Sequence, residues 1–334
     1  MRSADHWNRV QATLRGEPTT EIPVALWKHF PVDDMDPGKL ARLTVEWQQK
    51  WQFDFVKFMP PGTYGVEDWG ATTAYAGAPN GARIVTDPAV KRTDDWEKIR
   101  RIDPRNGSWG RQNLALSQAA GALGGAVPIL QTVFSPLTTA RKLATDRLFA
   151  DIRCNPDAVE AALRVITDVT IEFCFDAIRA GAHGIFLATQ LASHRILTIA
   201  EYQRFGMKYD LEILDALRGH CRLNMLHAHG DDIMFELLSG YPLELFNWHD
   251  RLTEPDLRRA RQRFPQVLVG GLNEHETLIH GKREDIAREV EDAIEQTEGR
   301  RLIIGPGCVL PIATTDEAIR AVVESAQNVN LAAL

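Results

Sequence analysis

Histidine and cysteine collect at a few points in the second half of this chain, and the set they form could hold a metal ion. His227 and His229 flank Ala228 in LHAHGD, His249 closes the run LELFNWH, and Cys308 stands between Gly307 and Val309 in RLIIGPGCV. Zinc takes imidazole nitrogen and thiolate sulfur in a tetrahedral arrangement, so these four side chains are a sufficient ligand group. In an extended segment residues i and i+2 share a face, which turns His227 and His229 to one side and Ala228 to the other. The plainer reading is a group of hydrogen-bonded imidazoles beside a small buried thiol. Cys154, Cys174 and Cys221 have no such companions and read as structural side chains.

Other polar residues follow apolar runs. Lys28 and His29 come after IPVALW and could clamp a carboxylate; Asn247 and Asn273 could hydrogen-bond a substrate. Tyr64, Glu67 and Asp68 in PPGTYGVEDWG are of the types that position a substrate or move protons.

These residues need elements that bring them together, and the hydropathy pattern supplies them. Eight apolar runs read as strands: 22–28, 53–59, 126–134, 184–189, 222–229, 243–249, 266–272 and 301–307. Segments of helical period lie between them, clearest at 156–180, 199–218, 254–263, 282–298 and 315–328. The alternation predicts an α/β protein, a single TIM-like (β/α)8 barrel over residues 1–334 with an insertion after the second strand, near 62–125. In such a barrel chemistry sits at the C-terminal ends of the strands, where the candidate residues fall. No strand is followed by GxGxxG, so an open dinucleotide-binding sheet has no support.

Composition narrows the functional classes. With 38 Lys plus Arg against 45 Asp plus Glu in 334 residues, the formal charge of -7 offers no general attraction for nucleic acid or an anionic membrane. No apolar run approaches the roughly 18 residues of a spanning helix, and the first residues lack a signal-peptide core, which predicts a cytoplasmic protein. Four scattered cysteines without a CxxC exclude a disulfide framework and a Cys-rich zinc module.

Several segments, in order over most of the chain, resemble the uroporphyrinogen decarboxylase superfamily. RVQATLRGEPTTEIPV is similar to that family's opening helix and first strand. LHAHGD resembles the L-H-x-C-G segment of its cobalamin-dependent methyltransferase branch. VLVGGLNEHETLIHGKREDIAREVEDAI and RLIIGPGCVLPIATTDEAIRAVV resemble its two closing strand-and-helix units. The resemblance implies a TIM-like barrel and one of two chemistries. The metal-free decarboxylases hold a polycarboxylate with arginines after the first strand. Here that loop reads WKHFPVDDMDPG, with no arginine and with acids at Asp33, Asp34 and Asp36. The tyrosine they carry after the third strand is absent from FSPLTTARKL, and their C-terminal histidine is matched most closely by Cys308. The methyltransferase branch uses zinc held by His-x-Cys and a second Cys. By resemblance these fall on His227, His229 and Cys308, with histidine replacing one cysteine.

The expectation is therefore a zinc-dependent methyltransferase of this superfamily, with His227, His229 and Cys308 as ligands and His249 as a fourth. A corrinoid or corrinoid protein would be donor or partner. Patterning leaves the oligomeric state open; the resemblance implies a homodimer. Two alternatives stand beside it. One is a metal-free lyase that decarboxylates a smaller acid through Asp68 or Glu67, with Lys28 and His29 as its clamp. The other is a non-catalytic tetrapyrrole- or corrinoid-binding protein using Trp27, Trp69 and Trp248.

Overall fold

The eight apolar runs close into a parallel ring, and one of them does so irregularly. The computed structural model describes residues 5–19 and 21–327. Asn328, the last residue of the helix expected over 315–328, lies outside them, as do both ends of the expected 1–334 unit. The strands are β1 (Val56–Phe58), β2 (Thr72–Tyr75), β3 (Arg83–Asp87), β4 (Ile129–Phe134), β5 (Gly184–Thr189), β6 (Met225–Ala228), β7 (Leu245–Trp248), β8 (Val267–Leu272) and β9 (Leu302–Pro306). β1 and β4 to β9 form one seven-stranded sheet in the order β1-β4-β5-β6-β7-β8-β9, with every neighbouring pair parallel.

The segment 22–28 completes the ring without forming a regular ladder. Val24 makes one parallel bridge to Ile304, the Ala25 N–H donates to the Ile304 carbonyl at 2.9 Å, and the Asp54 N–H donates to the Val24 carbonyl at 2.9 Å. Pro23 has no N–H to give, and the Val24 N–H goes to the Asp54 carboxylate at 2.8 Å instead of to a strand carbonyl. The eighth strand is thus present as an extended segment that reaches both β9 and the residues leading into β1.

The helices follow their sequence signals. Pro156–Arg179 starts on proline and buries Val159, Leu163, Ile166 and Phe173 along one face, the spacing of a helix lying on a sheet. Arg283–Thr297 begins where the Asp285 carboxylate accepts the Lys282 N–H at 2.8 Å, and it buries Ile286, Val290 and Ile294. Two expected helices differ in detail. The segment 199–218 contains Ile199–Tyr202 and Lys208–Ala216 joined by a wide turn over Gln203–Met207, and 254–263 shortens to Leu257–Arg261 because Asp256 caps it after Pro255.

The segment expected as an insertion divides into two parts. Gly107–Leu123 is a ring helix: Ala115, Leu116 and Ala119 pack with Val56, Phe58 and Ile129 on β1 and β4. What is added to the ring is the stretch before it, which carries the short helix Tyr64–Glu67 and the antiparallel hairpin of β2 and β3.

Side chains fill the ring rather than leave a pore. Trp27, Phe55, Leu130, Phe186, Met225, Leu245, Val267 and Ile303 form the inner core, and alternate residues such as Leu226, Ala228, Phe246 and Trp248 face the helices. Residue pairing puts His227 of β6 beside Asn247 of β7, both inside and both at the C-terminal rim.

Candidate metal centre

His227 and Asn247 are bonded across that register, with His227 Nδ1 2.6 Å from Asn247 Oδ1. The Asn247 amide NH2 donates to the carbonyls of Val269 at 2.8 Å and Pro306 at 2.9 Å, so its oxygen is the atom left for His227. His227 Nδ1 must therefore carry the hydrogen, and Nε2 keeps its lone pair. Burial holds this imidazole below its usual pKa, in the neutral state a metal requires.

His229 stands two residues on, after the end of β6, and His249 follows Trp248 at the end of β7; both turn inward. The distance from His229 Nδ1 to His249 Nε2 is 3.2 Å, and that to Cys308 Sγ is 3.5 Å. Taking one ligand atom from each of His227, His229, His249 and Cys308, all lie within 4.8 Å of one another. Zinc bonds of about 2.0 Å to nitrogen and 2.3 Å to sulfur give tetrahedral edges of roughly 3.3 Å between nitrogens and 3.5 Å between nitrogen and sulfur. These two separations have those lengths, and the donors are the types zinc prefers. The residues present fit the ion.

A carboxylate stands behind the set. Glu274, only 1% exposed, places Oε1 3.4 Å from His249 Nδ1, while its Oε2 accepts the Gly307 N–H at 3.0 Å. His249 thereby presents Nε2 inward, and the turn bearing Cys308 is held from the same acid. The Cys308 thiol lies well below its ordinary pKa: burial opposes ionisation, yet the imidazoles of His227, His229 and His249 favour the thiolate.

His227, His229 and Cys308 open onto a cavity of about 280 Å³ at the barrel mouth. Its wall also carries Trp27, His29, Lys57, Lys142 and, from the hairpin, Arg83. Burial pushes His29 down to about 3, which keeps it neutral.

The other sequence-predicted residues lie elsewhere. Lys28 does not line this cavity; its ammonium sits 4.7 Å from the Trp47 ring centre. Asn273 caps its own turn, its side-chain oxygen accepting the N–H groups of His275 at 3.1 Å and Glu276 at 3.0 Å. Tyr64 is in the core, its hydroxyl donating to the Thr132 carbonyl at 2.9 Å and its ring packed on Trp109. Glu67 takes the Thr73 hydroxyl at 2.9 Å and Arg111 at 3.0 Å, which anchors the hairpin. Asp68 receives the Ser108 N–H at 2.8 Å and starts the Gly107–Leu123 helix. Among the three tryptophans, Trp27 reaches the cavity, whereas the Trp69 and Trp248 indole N–H groups donate to the carbonyls of Arg100 at 2.8 Å and Pro255 at 2.9 Å.

Glu274, Lys57 and Lys142 were not singled out from the sequence. A signal existed for Lys57: it interrupts the apolar run FDFVKFM on the face shared by Phe55 and Met59, which pack inward. Glu274 lies beside Asn273 in the turn after β8, the strand next to that of His249. Nothing in FSPLTTARKL distinguishes Lys142 from a surface lysine.

Comparison with known proteins agrees with this architecture. The chain is 21% identical to the methylcobamide:CoM methyltransferase MtbA of Methanosarcina acetivorans and of Methanosarcina mazei, over 96% of this chain and 97% of each relative. A solved methyltransferase from Methanosarcina mazei superposes with a TM-score of 0.84 at 20% identity, covering 96% of this chain and 98% of that one. A B12-independent methionine synthase from Shewanella sp. W3-18-1 superposes with a TM-score of 0.56 at 14% identity, over 94% and 97% of the two chains. The sequence profile of uroporphyrinogen decarboxylase (URO-D) matches residues 6–329, and the chain belongs to that family.

Proposed function

We propose that this protein is a zinc-dependent methyltransferase that activates a small acceptor at the barrel mouth, with a corrinoid as methyl donor. One observation carries the reading: three imidazoles and a thiol converge, with two of the imidazoles and the thiol opening onto a cavity, in a chain that aligns over 96% of its length with a methylcobamide:CoM methyltransferase. His227, His229 and Cys308 are the ligands, and His249 occupies the fourth position until an acceptor takes it. Bound zinc supplies Lewis acidity that holds an acceptor in its anionic form at neutral pH.

The chain's own residues prepare the site for that role. Asn247 selects the His227 tautomer, and Glu274 orients His249 while fixing the turn that carries Cys308. Trp27, Phe186 and Val309 wall the cavity and exclude water from the acceptor. A corrinoid is far larger than 280 Å³, so it approaches from outside and presents its methyl group at the opening.

Metal analysis of purified protein tests the proposal. One zinc per chain is expected, lost in the His227→Ala, His229→Ala double variant, together with chelator-sensitive methyl transfer from methylcobalamin. Absence of stoichiometric metal, or methyl transfer that survives strong chelators, sinks it; chelator-resistant decarboxylation of a small acid without methyl transfer returns the metal-free lyase.

A further inference from the structure

Two lysines face the same cavity as the donor cluster, and nothing in the proposed chemistry so far uses them. Lys57, on β1 and only 7% exposed, places its ammonium 4.3 Å from the Phe186 ring centre and donates to the Met59 sulfur. Lys142, on the helix Pro136–Ala144, sits 3.3 Å from the Phe134 ring centre and donates to the Gly62 carbonyl at 2.5 Å. Each ammonium has three N–H donors and spends one on a protein atom. Among the described residues, no carboxylate affects either group. The one anion among them that acts on either is the Cys308 thiolate, which acts on Lys57 and not on Lys142 and whose charge a bound metal would take up. Two cations in one pocket with so little compensation are costly, and a ligand bearing negative charge lowers that cost.

We propose that Lys57 and Lys142 are a two-point cradle for the acid group of the small substrate, so the acceptor is an anion whose reacting atom reaches the His227, His229 and Cys308 cluster. The inference rests on reading this cavity as the site of transfer. A cavity of about 280 Å³ admits a compact molecule and not a corrinoid, which limits the acid to the acceptor itself. Burial also pushes both lysines down to about 7, so a fraction of each is neutral in the empty cavity and takes up a proton when an anion arrives.

Calorimetric titration with three probes tests this: 3-mercaptopropionate, 1-propanethiol and propionate, each against zinc-loaded and metal-free protein. The acid thiol is expected to bind zinc-loaded protein at least about tenfold tighter than the neutral thiol. Lys57→Met or Lys142→Met should each remove roughly tenfold of affinity for the acid probes, and the double variant should erase the preference. Binding near pH 8 should show a heat that varies with the buffer's ionisation enthalpy in the wild type and not in the double variant. Unfolding midpoints and zinc content verify that the variants remain folded and loaded, with Lys→Gln as the second choice. Equal affinity for acid and neutral thiols, or a preference unchanged in the double variant, overturns the proposal. Propionate binding to metal-free protein reports on the lysines alone, so failure of the metal reading and failure of the cradle are told apart.

Discussion

Glu274 grips the donor cluster at two points, lying 3.4 Å from His249 Nδ1 through one oxygen and accepting the Gly307 N–H at 3.0 Å through the other. His249 sits on the rim of β7 and Cys308 on that of β9, so one buried carboxylate in the turn after the intervening strand, β8, sets the relative position of both donors. The acid also stabilises positive charge on the imidazole face turned away from the cavity, which raises the basicity of Nε2.

Glu274→Gln keeps the shape and one hydrogen bond but removes the charge. Zinc affinity is expected to fall by about 10- to 100-fold, with the unfolding midpoint of metal-free protein little changed. A competition titration against a chromophoric chelator measures this. Unchanged affinity would show that His249 does not act through Glu274.

Asn247→Leu removes the partner that fixes the His227 tautomer and leaves the carbonyls of Val269 and Pro306 without their donor. Two effects follow together: weaker zinc binding, and a loss of about 1–3 kcal/mol of stability from buried acceptors left unpaired. Denaturant unfolding of metal-free protein isolates the second. If stability holds while metal affinity drops, water has replaced the amide.

The ring itself was legible because parallel strands buried on both faces read as continuous apolar runs: seven of the eight expected strands overlap strands of the sheet, and the eighth, 22–28, is an extended segment with a single bridge. The 22–28 strand shows the limit: its apolar pattern is regular, but Pro23 denies it a ladder that hydropathy cannot register. The cluster was legible for a related reason. His227, His229 and His249 lie at the ends of strands whose inward face follows from alternation, and Cys308 begins the turn after β9. Glu67 and Asp68 misled because acids in a strand-to-helix excursion serve equally well as caps and anchors, and only the partner residues, Thr73, Arg111 and Ser108, decide between those uses. Lys142 could not be assigned before folding because its inward direction depends on where its helix packs.

Asp210 should give stability a pH dependence of its own. It is fully buried, its Oδ2 accepts the hydroxyls of Tyr202 at 2.9 Å and Tyr241 at 3.0 Å, and burial raises its pKa to about 6 from the ordinary 3.8. The folded state thus holds the proton more tightly than the unfolded chain. The stabilisation is fully present below the unfolded value, near pH 4, and is lost as pH rises through about 6; at about 1.4 kcal/mol per pKa unit it is on the order of 3 kcal/mol. Asp210→Asn lacks this titration. Between pH 4 and 7 the wild type should lose stability relative to the variant, and parallel pH profiles would refute the assignment.

Gly307 is the tightest backbone approach in the centre. A Cβ at this position would lie 2.9 Å from His249 Cα and 3.1 Å from Glu274 Oε2, and the first of these is main chain that cannot rotate aside. Gly307→Ala must therefore push apart β7 and the turn carrying Cys308, the separation on which the donor distances depend. An overpacked site of this kind costs about 1–3 kcal/mol, and zinc affinity is expected to fall by at least about tenfold because two ligands move. Gly121→Ala is the comparison: nothing lies within 4 Å of its added methyl group, on a helix remote from the cluster, so zinc affinity should be untouched. The same chelator competition measures both variants. Equal zinc affinity in the two would mean that the turn bearing Cys308 is free to shift, and that the short distances between donors are not imposed by the backbone.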